Sequence, residues 1–228
     1  MPSVSEAVYK HLRVKILTDL PPGAPLNLRE LASELGVSTT PVRAAIESLI
    51  GDGLVVRETY KSARVAPISL RDMLDIYAVR EGLEGIAAKL GASRLSSSDI
   101  EGMQARMSRL TDLRDKSVLS IDLYLELEWS VREICYRAAG HDRLFGEIGA
   151  YRRQAERYFR LALAQGFAPD DDLELEEGFF EACVARDGES ADRLARALLT
   201  WTRDRVIPLL ERELANPAVV APDRVWAG

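Results

Sequence analysis

The sequence predicts a mainly α-helical protein in two parts, an N-terminal winged helix-turn-helix with a small β-hairpin and a C-terminal all-α antiparallel helical bundle. Three observations carry this. Prolines and glycines crowd the first third, from the DLPPG of residues 19–23 to Pro67. Strand-type residues are confined to one stretch, 54–68. Beyond Pro67, apolar residues recur at three- and four-residue spacing through long segments.

The elements follow in order. A first helix over 5–19 is stopped by Pro21, Pro22 and Gly23, and a second over 28–35 by Gly36. A third spans 39–50. Ser38 is its expected N-cap, and Pro41 falls in the first turn, where a missing N–H costs nothing. Gly51 and Gly53 close it. Residues 54–68 then hold two β-branched runs around a polar tip, the pattern of a hairpin. Ser69 with Asp72 forms a capping box that opens the helical half. Helices are expected over 70–92, 97–115, 120–139, 141–165, 171–187 and 189–213, with Asp170, Asp171 and Asp172 at a helix start. The stripe Leu123, Leu127, Val131 and Ile134 is typical of them. Short connections between amphipathic helices make an antiparallel bundle. The division is therefore 1–68, 69–215 and an irregular tail over 216–228, which carries two prolines.

Composition narrows the function. With 47% hydrophobic and 29% charged residues, the 228-residue chain can bury a substantial core. No apolar run approaches the ~18–20 residues of a membrane span, and the charged N-terminus is no signal peptide. The expected compartment is the cytoplasm, with no membrane partner. Cys135 and Cys183 lie outside any CxxC pair and read as core packing rather than a disulfide scaffold or zinc ribbon. His11 and His141 are too few for a catalytic site built on several histidines. Without a GxSxG elbow, a P-loop or an HExxH, the chain is not expected to be an enzyme, and neither a cofactor nor catalytic residues are assigned. Charge is unevenly spread. Residues 1–66 hold eight basic side chains against seven acidic, and the remainder 22 against 29. Only the N-terminal part escapes the acidic balance that disfavours nucleic acid.

The segment LASELGVSTTPVRAAIESL, 31–49, fits a helix-turn-helix. Leu31 and Leu35 face inward, Ala32 is small at the helix crossing, and Gly36 supplies the turn above Val37. Val42, Ala45 and Ile46 make the inner stripe of the second helix. Its outward positions, Ser38, Thr39, Thr40 and Arg43, are small polar or basic residues able to enter a major groove. Lys61 and Arg64 stand at or beside the hairpin tip. Two packed helices with Arg43 as a solvated charge would explain 31–49 alone. The hairpin that follows favours DNA binding.

Together PPGAPL (21–26), LRELASELGVSTTPVRAAIESLIGDGLV (28–55), ARVAPIS (63–69) and IYAVREGLEG (76–85) resemble the bacterial GntR-type transcription regulators. The likeness is to the FadR-like subfamily with an all-helical C-terminal ligand-binding (FCD) domain. The resemblance implies that Arg29, Thr40 and Arg43 approach operator DNA, and that the wing from Lys61 through Ser62 to Arg64 enters the adjacent minor groove. Two positions depart from the family. Thr39 stands where an arginine usually reads guanine, a contact worth about 1–3 kcal/mol, so a different operator is expected. Ser62 replaces the wing-tip glycine. The resemblance further implies a homodimer whose bundle pairs subunits and senses a small molecule, in a regulator expected to be a repressor.

Many FCD domains hold a divalent metal through one aspartate and three histidines. Those positions fall here on Glu128, Arg132, Glu176 and Leu198, which is no metal-ligand set, so none is expected. Charge takes its place. Glu128 and Arg132 stand four apart on one helix face, and Arg80 is an inward position by resemblance. Arg132 with Glu128 or Glu176 reads equally as an internal salt bridge and as part of a site where Arg80 or Arg132 grips an organic-acid effector. A metal-dependent FCD regulator, a bundle that only pairs subunits, and a winged-helix protein-interaction module with lapsed DNA binding are the alternatives. Arg152, Arg153 and Arg157 read as a solvated helix face, while Tyr151, Tyr158, Phe159, Phe179 and Phe180 read as core or pocket lining.

Overall fold

A computed structural model describes residues 3–57, 63–114, 121–164 and 173–215 of the chain. Lys61 and Ser62, the aspartates at 170–172 and the tail 216–228 lie outside the described residues.

The N-terminal half opens with α1 (Val4–Thr18), capped by Ser3, whose hydroxyl accepts from the Glu6 N–H at 3.2 Å. After β1 (Pro25–Leu26), Asn27 caps α2 (Leu28–Glu34) by accepting from the N–H groups of Arg29 and Glu30. Gly36, at φ +63°, makes the turn that a side chain would strain. Helix α3 (Thr39–Gly51) follows with Ser38 at its N-cap, although the serine hydroxyl accepts no capping bond. Val8, Leu12 and Ile16 of α1 bury against Val42, Ile46 and Leu49 of α3. This apolar contact fixes the helix-turn-helix on its inner side and leaves the outer side of α3 exposed.

The hairpin strands are β2 (Val55–Arg57) and β3 (Ala63–Val65), antiparallel with Val55 opposite Val65 and Arg57 opposite Ala63. The expected two-stranded hairpin is in fact part of a three-stranded sheet, ordered β1-β3-β2. Pro25 and Leu26 pair with Arg64 and Ala63, so β1 closes the inner edge of the wing. Two residues ending a proline-glycine turn give no alternation to read, and their partner lies nearly forty residues away.

The C-terminal half comprises α4 (Leu70–Ala92), α5 (Ser97–Arg114), α6 (Ile121–Ala138), α7 (Asp142–Ala164), α8 (Leu173–Val184) and α9 (Gly188–Leu214). The Ser69 cap on α4 is as expected, with its hydroxyl accepting from the Asp72 N–H at 3.3 Å. Helix α4 is central, packed on α9, α7 and α6. Its inward stripe, Met73, Tyr77, Arg80, Glu84, Ala87 and Gly91, alternates steps of three and four, the repeat that keeps one helix face toward neighbours. Cys135 and Cys183 are both buried thiols. Their mutual contact and burial raise the Cys135 pKa, and its Sγ donates to the Ala88 carbonyl at 3.6 Å. Both therefore pack as apolar groups.

The crossing of α4 with α6 depends on Gly91. A Cβ there would lie 1.9 Å from the Cys135 carbonyl oxygen, a backbone atom that cannot yield. Gly91→Ala is expected to cost about 3 kcal/mol through overpacking. At this chain length the thermal midpoint should fall by roughly 6–12 °C, measurable by circular dichroism.

Candidate nucleic-acid interface and a charged cavity

The buried stripe of α3 decides which side chains it presents outward. With Val42, Ala45, Ile46 and Leu49 inside, Ser38, Thr39, Thr40 and Arg43 are all exposed. Thr39 and Thr40 open the helix, where backbone N–H groups without helical partners and the positive end of the dipole favour phosphate. Arg29, in the first turn of α2, is exposed as well. Arg64 is half-buried instead of extended from the wing, and its Nη1 donates to the Gly23 carbonyl at 3.2 Å. Pairing opposite Val56 and Pro25 places it in the middle of the sheet rather than at the tip. Arg57 of β2 ion-pairs with Glu47 of α3, bracing wing against helix. The exposed set is thus Arg29, Ser38, Thr39, Thr40 and Arg43: small hydroxyls and two guanidinium groups with no bulky side chain among them.

The second feature is a cavity of about 40 Å³ among α4, α6, α7 and α9. Tyr77 and Arg80 contribute from α4, Glu128 and Arg132 from α6, Arg152, Glu156 and Phe159 from α7, and Thr202 from α9. Three of the four sequence-expected effector residues, Arg80, Glu128 and Arg132, therefore meet here. Glu176 of α8 lies behind Arg132 and off the cavity wall.

The electrostatics separate these arginines. Arg132, 3% exposed, is held by an ion pair with Glu128, by Glu176 Oε1 at 3.3 Å from its Nε and by Glu84 Oε2 at 3.8 Å. Burial opposes its charge, yet Glu176, Tyr136 and Glu84 outweigh burial and raise its pKa. Arg80 Nε donates to Glu84 Oε1 at 2.7 Å, and Tyr136 donates to the other Glu84 oxygen at 3.1 Å. Glu84 is fully buried, so this network spends its charge internally. Arg152 differs. Its Nη2 donates to the Leu125 carbonyl at 2.6 Å, its guanidinium stacks 4.6 Å over the Trp129 ring, and Glu128 is 3.9 Å away. Burial, then repulsion from Arg80, depresses its pKa to about 10. It is the cavity's cation with the weakest carboxylate compensation.

This corrects the reading of 152–157 as a solvated face. Arg152 lines the cavity, Arg153 Nε donates to Asp52 Oδ1 at 2.8 Å, and Arg157 Nη2 donates to Asp72 Oδ2 at 2.5 Å. The signal was present. Ile148, Arg152, Ala155, Phe159 and Ala162 form one stripe of alternating fours and threes, in which Arg152 takes an inward place. Glu84 stands likewise on the inward stripe of α4.

A divalent metal does not fit this centre. The Arg132 guanidinium stands where a ligand would be needed, and a cation beside it would meet a positive charge already paired with Glu84, Glu128 and Glu176. Among the described residues, no group of three or more His, Cys, Asp or Glu side chains could hold one.

The family model described as bacterial regulatory proteins, gntR family, matches residues 4–65, and the FCD domain model matches residues 75–200. A probable D-xylose utilization operon transcriptional repressor of Paenarthrobacter nicotinovorans is 32% identical over 103 residues, 44% of this chain and 46% of that protein. The chain thus spans less than half of that relative's length. An uncharacterized HTH-type transcriptional regulator from an unstable DNA locus of Streptomyces ambofaciens is 27% identical over 224 residues, 95% of this chain and 89% of its own. Among solved structures, E. coli McbR/YncC superposes with a TM-score of 0.73 over 94% of this chain and 100% of that one, at 22% identity, a likeness of fold.

Proposed function

The chain belongs to the GntR family of transcriptional regulators, with an FCD domain after its winged helix-turn-helix, and from that premise we propose that it is a repressor released or engaged by a carboxylate effector held at Arg152. Residues 1–68 bind operator DNA through Arg29, Ser38, Thr39, Thr40 and Arg43. Residues 69–215 sense the effector and pair two copies into a homodimer. Pairing follows from affinity: a winged module with one net positive charge neutralises few phosphates, and two modules on a palindrome gain effective concentration. The repressor assignment follows the printed function of the Paenarthrobacter relative. Such a protein works in the cytoplasm, where the operator is, and among the described residues no helix is long and apolar enough to cross a membrane.

One observation carries the effector class. Arg80 and Arg132 are already matched by Glu84, Glu128 and Glu176, whereas Arg152 faces the same cavity with a depressed pKa. An arriving carboxylate relieves that imbalance through the guanidinium fork. Arg132 then serves as the structural centre of the salt-bridge network, one of its two sequence readings, and Arg152 replaces it as the expected ligand contact.

Thermal-shift titration with mono-, di- and tricarboxylic acids tests this. At least one acid should raise the melting midpoint of the wild-type protein. Arg152→Met should weaken that acid about 10- to 150-fold, the worth of a charged hydrogen bond, while melting normally in buffer. Equal binding by Arg152→Met would overturn the assignment.

A further inference from the structure

One helix joins the cavity to the DNA-binding half. Arg152, Glu156 and Phe159 of α7 face the cavity, while Arg153 and again Glu156 reach the N-terminal half. Glu156 is shared. It lines the cavity, accepts from Arg160 Nε at 2.8 Å through Oε1, and ion-pairs through Oε2 with Arg13 of α1. At 8% exposure it is a buried carboxylate, and removing one partner leaves a real cost. Arg153 Nε binds Asp52 Oδ1 at 2.8 Å, and the Tyr9 hydroxyl of α1 donates to Asp52 Oδ2 at 2.5 Å. Asp52 is the C-cap of α3, the recognition helix. Helix α7 therefore grips α1 at its middle and α3 at its end.

The cavity's size makes this grip consequential. About 40 Å³ holds only two or three water-sized bodies, so an organic acid enters only if a wall moves. Tyr77 and Leu199 are buried in the core, and Arg132 is fixed by three carboxylates. Arg152 on α7 is part-exposed and held less tightly, by one bond to the Leu125 carbonyl, the Trp129 ring and Glu128 at 3.9 Å.

We propose that α7 is the transmission element: filling the cavity displaces it, loosening Glu156 from Arg13 and Arg153 from Asp52 and so freeing the end of the recognition helix. This rests on the effector reading above only for the identity of the occupant. The two sites are thereby coupled through a physical element whose contacts differ between states.

The test uses the full-length protein and a built-in occupant. Ala155→Phe adds a ring to the cavity wall, and amide hydrogen exchange is followed in α1 and around Asp52. Exchange there should quicken about five- to tenfold, the scale of losing a coupled pair of interactions. The double variant Arg13→Gln/Arg153→Gln should show the same quickening, and Ala155→Phe added to it should add nothing. If Ala155→Phe loses its helical circular dichroism, the smaller wedge Ala155→Leu takes its place. A folded wedge variant with unchanged exchange in α1 and around Asp52 overturns the proposal, as does an effect that adds fully to the double variant. The effector reading fails separately. If no carboxylate shifts melting yet the wedge loosens α1, the carboxylate falls and the coupling stands; a carboxylate that binds while the wedge leaves α1 unchanged gives the reverse.

Discussion

Arg132→Met is expected to destabilise the helical half by about 3–5 kcal/mol, the usual cost of removing one member of a buried ionic network. Three carboxylates converge on this guanidinium, and two of them, Glu84 and Glu176, are at most 1% exposed. Methionine fills much of the volume, so the loss is electrostatic rather than a cavity effect. Glu84 keeps Arg80 and Tyr136, and Glu128 keeps Arg152 at 3.9 Å, whereas Glu176 loses the Arg132 charge beside it. Urea unfolding followed by helical circular dichroism measures the loss. Glu176→Gln in the Arg132→Met background should recover about 1–2 kcal/mol, because it removes the buried charge that Arg132 had faced. An Arg132→Met midpoint equal to the wild type would show that the network is ornamental.

Arg43→Ala is expected to weaken operator binding about 5- to 150-fold without changing stability. The side chain is exposed on the first turns of α3, on the face opposite Val42, Ala45 and Ile46, so its removal disturbs no packing. A contact to a base edge is worth about 1–3 kcal/mol and should relax specificity at one position, whereas a phosphate contact lowers affinity on all sequences and flattens the salt dependence. Fluorescence anisotropy on operator and scrambled duplexes at two salt concentrations separates the two. Unchanged affinity on both would remove Arg43 from the interface.

What the sequence made legible was local. Caps and stops such as Ser69, Gly36 and Gly53 act within a few residues, and the helix bounds they imply agree with the structure to within a residue or two over most of the chain. The outward face of α3 was legible for the same reason, since its inner stripe fixes its outer one. Long-range pairing was not legible. Strand β1 forms only because β3 lies beside it, and Arg64 is drawn inward by that sheet. The α7 arginines find partners on Asp52, Leu125 and Asp72, each remote in sequence. Charge alone suggested solvent. The stripe running from Ile148 to Ala162 placed Arg152 inside, and there periodicity was the better guide than residue type.

The central claim is that α3 reads operator DNA as one of a pair of recognition helices. Hydroxyl-radical footprinting of the full-length protein on chromosomal fragments it retains tests this most directly. Two protected half-sites with centres about 10 bp or a multiple of that apart, both lost in Arg43→Ala, are the predicted result. Retained fragments with no footprint, or a footprint unchanged by Arg43→Ala, would contradict it.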